Sequence, residues 1–262
     1  MYTVAVVIPC YNEEKRLCCG EISDFLLSTN AHLTFVNDGS TDNTLLMLQQ
    51  LKQRFPLQVQ VINLKRNLGK AEAVRIGMLT TAYQGNASIV GFMDADLSTP
   101  LSEVEHFLEN FKADIEFVFG SRIAKIRSVI KRAVYRHIIG RVIATFISMY
   151  LKIPVYDSQC GAKFFNNDLA IEIFREPFVS RWLFDVEIFK RIKLAGKEIE
   201  ECSLELPLNV WLEKGKSKLN LYEIIKLPFE AWRIARQYKG SKIITISPTP
   251  ISEIVPQTLI EE

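Results

Sequence analysis

Two aspartates directly follow an apolar segment of the chain. The segment Ile89–Met93 has the character of a buried strand end, and Asp94 and Asp96 come next with one alanine between them. Carboxylates are seldom buried unless they are paired or bind a metal, and two of them this close repel each other unless a cation or a proton lies between them. A hard divalent ion, Mg²⁺ or Mn²⁺, prefers oxygen ligands and would relieve this repulsion. The pattern therefore favours a metal-binding role for Asp94 and Asp96.

Polar side chains also follow the first two apolar segments of the chain. The segment TVAVVIP runs into Pro9, Tyr11, Asn12, Glu13 and Glu14, and the segment LTFVND runs into Asn37, Asp38, Gly39, Ser40 and Asp42. Ligands of open α/β sheets bind beyond the carboxyl ends of the strands, so we expect these groups to meet the two aspartates at one edge of a sheet. The sequence leaves open the alternative that some of them only cap the helices that follow.

The elements that must position these residues alternate along the first half of the chain. Four strand-like segments, TVAVVIP, LTFVND, QVQVIN and ASIVGFMD, are separated by segments with helical spacing at Asn12–Thr29, Thr41–Phe55 and Leu68–Tyr83. Strands that alternate with helices predict an α/β fold with a Rossmann-like, mostly parallel sheet flanked by helices.

Length and composition limit the classes of protein that are possible. The chain has 262 residues, of which 48% are hydrophobic and 24% charged, as in a globular protein with a sizeable core. The formal net charge is only +2 and makes no case for nucleic-acid binding. The cysteines contain no C-x-x-C pair, which favours reduced thiols in a cytosolic protein over a zinc site or a disulfide framework.

Hydropathy predicts a soluble or peripheral protein. The N-terminal segment lacks the basic region and cleavage site of a signal peptide. The longest uncharged stretch of membrane type, Val142–Leu151, is far shorter than the roughly 20 apolar residues that a spanning helix needs. We therefore expect a cytoplasmic location.

A segment without acidic residues lies between Glu116 and Asp157. It carries Arg122, Lys125, Arg127, Lys131, Arg132, Arg136, Arg141 and Lys152. Apolar residues at helical spacing from Ile130 to Val142 predict a basic amphipathic helical segment over 127–153 that lies on an anionic membrane surface. The alternatives are a helix that packs on the domain or dimerises, and a nucleic-acid patch, although Tyr135 is the one aromatic residue between the basic ones up to Arg141. Residues Leu221–Tyr238 form a second amphipathic pattern.

Two further segments carry acidic residues in apolar surroundings. They are VYDSQCGAKFF (155–165) and SRWLFDVEIFKR (180–191), and the second places Asp185 and Glu187 in a helix-like context. Because carboxylates among Phe, Trp and Leu are costly to bury, this context favours a role for both acids.

Several motifs, taken together and in order, resemble the family 2 inverting glycosyltransferases of the GT-A fold. The matching segments are VVIPCYNEE, FVNDGSTDNT, NLGKAEAVRIGM, DADLSTP and GSR. The segments DSQCGAKFF, RWLFDVEIF and KGKSKLN resemble the dolichyl-phosphate β-glucosyltransferase branch within the polyprenyl-phosphate transferases. The resemblance covers roughly residues 3–238 and implies a GT-A domain over 1–240, followed by a flexible C-terminal tail over 241–262.

The resemblance implies a role for each matching position. On the donor side, Pro9, Tyr11, Glu13 and Asp38 would hold the nucleoside, Lys70 and Asp94 would contact the donor, and Asp96, with Asp94, would bind the metal at the diphosphate. Arg122 and Arg132 match basic positions near the phosphates, and Asp157, Gln159, Asp185 and Lys218 would lie on the acceptor side. The implied reaction is metal-dependent transfer of a hexose, glucose from UDP-glucose, to a polyprenyl phosphate at the cytoplasmic face of a membrane.

Alternatives to this reaction stay open at the level of sequence. They are mannose transfer from GDP-mannose, transfer to a sugar hydroxyl in polysaccharide synthesis, and a catalytically silent nucleotide- or membrane-binding module. A phosphate acceptor would be largely ionised at neutral pH and would need no strong base, whereas a hydroxyl acceptor would need one, such as Asp185. The chain departs from some relatives at Ser98, where they carry a glutamine that binds the metal, and in having no apparent transmembrane helix.

Overall fold

The computed structural model of the protein describes residues 3–123, 128–131, 155–181, 183–214, 221–239 and 259–261. Its strands are β1 (Val4–Cys10), β2 (His32–Asn37), β3 (Val59–Leu64), β4 (Ile89–Phe92), β5 (Phe117–Ser121), β6 (Val129–Lys131), β7 (Lys163–Asn166), β8 (Ser203–Pro207), β9 (Val210–Leu212) and β10 (Ile260–Glu261). Its helices are α1 (Cys19–Ser28), α2 (Thr44–Arg54), α3 (Lys70–Tyr83), α4 (Glu103–Leu108), α5 (Asn167–Phe174), α6 (Phe184–Leu194), α7 (Ile199–Cys202) and α8 (Leu221–Gln237).

Among the described residues, the main sheet has eight strands in the order β10-β3-β2-β1-β4-β7-β5-β8. Strands β1 to β4 are parallel to their neighbours among themselves, and β5 is parallel to β8. Strand β7 runs antiparallel to both β4 and β5 and so joins the two parallel parts. This mostly parallel sheet with helices on its faces confirms the predicted α/β class.

The sheet separates two apolar cores, one on each face. Along β1, Val7 packs with α3, α5 and α6, whereas Val6 packs with α1, α2 and α4 on the opposite face. This alternation is the two-residue period of a strand. Helix α3 lies so close to the sheet that a Cβ on Gly77 would overlap the side chains of Val7 and Val36. The position of its first residue, Lys70, is therefore fixed relative to β1 and β2.

The helix predicted from Asn12 begins later than expected. Helix α1 starts at Cys19. Asn12 has a φ of 53°, in the left-handed region, so a right-handed helix cannot begin at that residue. The Asn12 side-chain oxygen accepts a hydrogen bond from the Thr41 amide at 2.8 Å. A residue that could have capped a helix thus links the loop after β1 to the loop after β2.

Part of the predicted basic helix is a strand. Val129–Lys131 forms β6, which pairs in parallel with β9, and the Val129 amide donates to the Asn209 carbonyl at 2.8 Å. The β-branched residues Val129 and Ile130 suit this strand. Residue 127 and residues 132–153 of the predicted segment lie outside the described residues. Within the described part of the chain, no helix combines the length and the apolar character needed to cross a membrane.

The last described residues join the edge of the main sheet. Ile260 and Glu261 pair antiparallel with Leu64 and Asn63 of β3. They fall within the segment 241–262 for which we expected a flexible tail, so this short part of it is bound to the sheet.

Candidate active site

The loops after β1, β2 and β4 meet at one rim of the sheet. Strand β1 pairs in parallel with both β2 and β4, which brings the carboxyl ends of all three strands together. The Asn12 amide donates to the Ser40 hydroxyl at 3.0 Å, and the Glu13 amide donates to the Thr44 hydroxyl at 2.8 Å. These bonds join the first two loops into one wall of the rim.

The predicted nucleoside-binding residues after β1 differ in their exposure. Pro9 is partly buried at the end of the strand, and the Tyr11 side chain next to it is 39% exposed. Glu13 is only 6% exposed and forms an ion pair with Arg16 at 2.5 Å. Glu13 therefore stabilises the loop, while Tyr11 has ring surface available to a ligand.

Asp38 braces the loop that leads into α3. Its two carboxylate oxygens accept hydrogen bonds from the amides of Leu68, at 2.7 Å, and Gly69, at 3.0 Å. Burial raises the pKa of Asp38, although these two bonds and the nearby Arg181 act in the opposite direction. Gly69 has a φ of 94°, which favours glycine at this position. These bonds hold Asp38 at the rim, against the two residues that precede Lys70.

Lys70 joins the donor-side carboxylates. Its ammonium group lies 2.5 Å from the Asp94 carboxylate, and the two side chains are 43% and 40% exposed. Partial burial works against the charged form of Lys70, but the carboxylates of Asp94, Asp185 and Asp96 outweigh it and raise the lysine pKa. The Lys70 ammonium group therefore interacts with Asp94 and Asp96 of one loop and with Asp185, which is remote from them in the sequence.

Asp96 lies two residues beyond Asp94 in the same loop. Its Oδ1 atom accepts a hydrogen bond from the Ser98 amide at 2.9 Å. The Ser98 hydroxyl in turn accepts a bond from the Lys214 amide at 3.3 Å. Ser98 thus holds the segment after β9 next to the aspartate loop.

The donor set at this rim fits a cation that is bound together with a diphosphate. In the described residues, no three acidic, histidine or cysteine side chains are grouped closely enough to hold a metal ion by themselves. Asp94 and Asp96 provide two carboxylates, and Mg²⁺ commonly binds to one or two carboxylates while substrate phosphates and water complete its shell. The two aspartates would hold such an ion, which would neutralise charge on a leaving diphosphate.

The loop 156–161 is tied to the sheet by paired charges. The Arg122 guanidinium donates two hydrogen bonds to Asp157, at 2.6 and 2.7 Å, and the amides of Tyr156 and Asp157 donate to Glu205 at 2.8 and 2.7 Å. The Arg122 guanidinium also lies 5.6 Å from the centre of the Trp211 ring. Both predicted residues, Arg122 and Asp157, therefore lie in one rigid cluster.

The ion pair of Asp157 makes the free energy of unfolding depend on pH. Although burial opposes its ionised form, the paired Arg122 lowers the pKa of Asp157 below the ordinary value of 3.8. The unfolded chain then binds the proton more readily than the folded protein. The stabilisation is therefore complete above pH 3.8 and is lost as the pH falls through the pKa that Asp157 has in the folded protein.

We expect Asp157→Asn to lower the free energy of unfolding at pH 7 and to reduce the decline of this free energy below pH 4, measured by urea denaturation across pH. Asp24→Asn, at an exposed aspartate, should leave the profile unchanged, and an equal acid response in Asp157→Asn would contradict the assignment.

Asp185 is held by a buried lysine. The ammonium group of Lys163, which is fully buried on β7, donates to Asp185 at 2.5 Å and to the Cys160 carbonyl at 2.7 Å. It also lies 5.6 Å from the centre of the Phe92 ring. Lys163 therefore connects the first turn of α6 to the loop 156–161.

The loop 156–161 touches the aspartate loop at Gly161. A Cβ atom at this position would overlap the Asp94 carboxylate, so the Asp94 side chain can keep its position against the backbone of the loop 156–161 because residue 161 is glycine. The predicted acceptor side and the predicted donor side are thus in direct contact.

Gly161→Ala is expected to impair donor binding while the fold persists. The added methyl group must displace the half-exposed Asp94 side chain from Lys70, and we expect at least about a tenfold weaker affinity in calorimetry for UDP-glucose, the donor that the motifs predict. Gly20→Ala is the matched control, because a Cβ there meets nothing within 4 Å. Unchanged affinity in Gly161→Ala would mean that the contact with Asp94 does not matter for the donor.

Glu187, the second acid expected to have a role in α6, has a structural one. It accepts hydrogen bonds from the amides of Val179, at 3.0 Å, and Ser180, at 2.6 Å, and from the Tyr238 hydroxyl at 3.0 Å. Burial raises the pKa of Glu187, while these partners and Arg191 support its charged form. This carboxylate is therefore already satisfied within the fold.

Of the remaining predicted residues, the structure describes Gln159 but not Arg132 or Lys218. Gln159 lies in the loop 156–161, and its amide nitrogen is buried without a hydrogen-bond partner. Arg132 and Lys218 lie outside the described residues. The acceptor-side role of Gln159 stays a prediction, for which this unpaired amide nitrogen would be a hydrogen-bond donor.

Three site residues escaped the sequence reasoning. Gly161 and Lys163 lie inside the motif DSQCGAKFF, and Glu205 lies on β8. A lysine beside two phenylalanines was a usable signal, because buried lysines almost always have a partner. Glu205 had no such signal, since its partners are backbone amides nearly 50 residues earlier in the chain.

The strand order, the helices on both faces and the carboxylates at one rim define a GT-A type α/β protein. Residues 5–174 match the family model of Glycosyl transferase family 2. The chain therefore belongs to glycosyl transferase family 2 and is a glycosyltransferase, as the resemblance of its motifs predicted.

Relatives with assigned activities cover most of the chain. A dolichyl-phosphate beta-glucosyltransferase of Saccharomyces cerevisiae is 32% identical over 240 residues, which are 83% of this chain and 69% of the relative. One from Trichomonas vaginalis is 30% identical over 271 residues, covering 97% of this chain and 77% of the relative. The human dolichyl-phosphate beta-glucosyltransferase is 28% identical over 264 residues, covering 90% and 79%.

Solved structures with the same fold include those of a glucosyl-3-phosphoglycerate synthase. Glucosyl-3-phosphoglycerate synthase from Mycobacterium tuberculosis, in complex with Mn²⁺, UDP-glucose and phosphoglyceric acid, aligns with a TM-score of 0.63 at 16% identity, over 91% of this chain and 80% of that chain. The complex of the same synthase with Mn²⁺, UDP and phosphoglyceric acid gives a TM-score of 0.65 over 91% and 79%. At this identity the likeness concerns the fold.

Proposed function

We propose that the protein transfers glucose from UDP-glucose to a polyprenyl phosphate of the dolichyl type, with inversion and with Mg²⁺ or Mn²⁺. The observation that carries the proposal is the contact between Gly161 and Asp94. It joins the loop that holds Asp157 to the carboxylates that would bind the donor. The names of the relatives support glucose as the sugar and dolichyl phosphate as the acceptor, and the UDP-glucose and Mn²⁺ in the structural neighbour agree with the proposed donor and cation.

The reaction requires a negatively charged leaving group to be stabilised. A bond forms between an oxygen of the lipid phosphate and C1 of glucose, while the bond from C1 to UDP breaks and UDP leaves with its electron pair. A divalent cation held by Asp94 and Asp96 would neutralise charge on the diphosphate. Lys70 has a raised pKa, so it stays charged and can donate to the same group.

The acceptor side suits a nucleophile that is already ionised. Arg122 lowers the pKa of Asp157, which makes that carboxylate a weak proton acceptor. Asp185 is bound by the buried Lys163. A phosphate monoester has its second pKa near 6 and is largely ionised at neutral pH, so it needs positioning more than a base. These contacts favour a phosphate acceptor over a sugar hydroxyl.

We also propose that the protein works as a peripheral enzyme at the cytoplasmic face of a membrane. A polyprenyl phosphate is confined to a bilayer, and the enzyme must reach its phosphate there. All five cysteines are free thiols, which fits a reducing compartment.

The test is to supply the protein with radiolabelled nucleotide sugars and a polyprenyl phosphate, with and without Mn²⁺. We expect label from UDP-glucose in the organic phase, only when the cation is present. Label from GDP-mannose would replace the donor in the proposal. Transfer to a water-soluble sugar instead of the lipid would replace the acceptor.

A further inference from the structure

The described end of α8 has one face anchored in the protein and the opposite face exposed. Ile234 is fully buried in the core next to α6. The Tyr238 hydroxyl donates to Glu187 at 3.0 Å and accepts from Arg191 at 2.9 Å. These contacts fix the rotation of the helix about its axis, so the residues on its other side are held outward.

The outward face carries two aromatic rings and a basic residue at helical spacing. Phe229 is 59% exposed and Trp232 is 53% exposed, and their rings stack with centroids 5.9 Å apart. The Arg236 guanidinium lies 5.4 Å from the centre of the Trp232 ring. We call Phe229, Trp232, Arg233 and Arg236 the α8 patch. Large aromatic side chains are rarely left exposed in this way without a partner.

The α8 patch borders an open cleft and is positively charged. The cleft is lined by Val179, Phe229, Trp232, Arg233, Arg236 and Gln237. Between residues 229 and 239 there are three basic residues and one acid, Glu230, which pairs with Arg233 at 3.1 Å. Arg236 and Lys239 therefore give this end of the helix a net positive charge.

We propose that the α8 patch docks on an anionic membrane surface, an inference that rests on the proposed function. Aromatic rings at the boundary of lipid and water, with guanidinium groups beside them, combine the two attractions that hold peripheral helices on anionic lipids. Two exposed rings are too small an area for a stable protein interface, which buries about 800 Å² on each partner. Insertion into a bilayer requires only the rings themselves.

The placement of the patch agrees with the site. Helix α6 carries Asp185 and Glu187 in its first turn and Arg191 in its last turn, and Glu187 and Arg191 bind Tyr238, which directly follows α8. A membrane contact through α8 would therefore be rigidly coupled to the helix that lines the acceptor side. The patch would orient this side of the enzyme with respect to the lipid phosphate.

Sedimentation of the full chain with vesicles tests the proposal. We expect binding to phosphatidylcholine vesicles that contain phosphatidylglycerol and weak binding to pure phosphatidylcholine. The double variant Phe229→Ala/Trp232→Ala should lose at least about tenfold in partitioning. Leu27→Ala/Leu57→Ala is the matched control, because these leucines are 69% and 87% exposed outside α8. Equal sedimentation of the aromatic variant and the control would overturn the proposal.

Tryptophan fluorescence gives an independent readout. Brominated lipids should quench part of the emission of the natural protein, and Trp232→Phe should remove that part while the quenching of Trp182 and Trp211 stays unchanged. Unaltered quenching in Trp232→Phe would overturn the proposal. If the natural protein self-associates without vesicles and the aromatic variant does not, the patch binds a second copy of the chain, and the proposal is also overturned.

Transfer from UDP-glucose to a short, water-soluble polyprenyl phosphate separates the membrane-docking hypothesis from the proposed function. A failed α8 patch leaves this transfer intact, whereas a failed function abolishes it and leaves vesicle binding unchanged.

Discussion

Replacing Asp96 with asparagine is expected to lower sugar transfer by about 10³-fold or more while the fold stays intact. The asparagine side chain keeps an oxygen that can accept the bond from the Ser98 amide, so the loop geometry is preserved. What is lost is one negative charge at the place where the cation would bind, and a bound metal supplies several kcal/mol of transition-state stabilisation. A loss of about 4 kcal/mol corresponds to about 10³ in rate.

Calorimetry separates the loss of metal from a loss of structure. Asp96→Asn should bind UDP equally with and without Mn²⁺, whereas the natural protein should bind UDP more tightly when Mn²⁺ is present. Asp24→Asn changes an exposed aspartate of α1 and should behave as the natural protein. If Asp96→Asn keeps its Mn²⁺-dependent UDP binding, the proposed metal site is wrong.

Replacing Lys163 with methionine is expected to destabilise the protein by about 3–5 kcal/mol, because it leaves Asp185 buried without its cation. Both members of the pair are shielded from water, with side-chain exposures of 0% and 8%. The loss of the bond to the Cys160 carbonyl should also release the loop 156–161 and reduce transfer. Urea denaturation and the radiolabel assay measure the two effects.

Two further variants make this prediction specific. Lys197→Met breaks a more exposed ion pair with Glu116, at 2.7 Å, and should cost less than about 1 kcal/mol. The double variant Lys163→Met/Asp185→Leu removes both charges and should regain stability without regaining transfer. If Lys163→Met is as stable as Lys197→Met, the buried pair does not stabilise the fold in the way we infer.

Much of the fold could be predicted because its signals are local. Alternating apolar residues and helical spacing identified four strands and three helices of the first half, with boundaries that differ by a few residues. The largest error was at Asn12–Thr29, where the helix begins at Cys19. The error arose because Asn12 hydrogen-bonds to Thr41 in another loop, a partner that a local pattern does not reveal.

The helix predicted over 127–153 illustrates a second limit. Its described part, Val129–Lys131, pairs with β9, which lies about 80 residues later in the chain. Helical spacing of apolar residues cannot exclude such a strand, because pairing with a distant segment overrides local propensity. Glu187 is a similar case, since only its contacts with Val179, Ser180 and Tyr238 reveal that its charge is used within the fold.

The sequence by itself determined that Asp38, Asp94 and Asp96 lie at one rim, because a parallel sheet places the carboxyl ends of its strands together. It also determined the family, through motifs in a fixed order. Only the tertiary structure decided which groups pair there: Lys70 with Asp94, Lys163 with Asp185, and Gly161 against the aspartate loop. The physical reason is that ion pairs and the contact of a side chain with a remote glycine depend on the distance between segments far apart in the chain, which no local periodicity records.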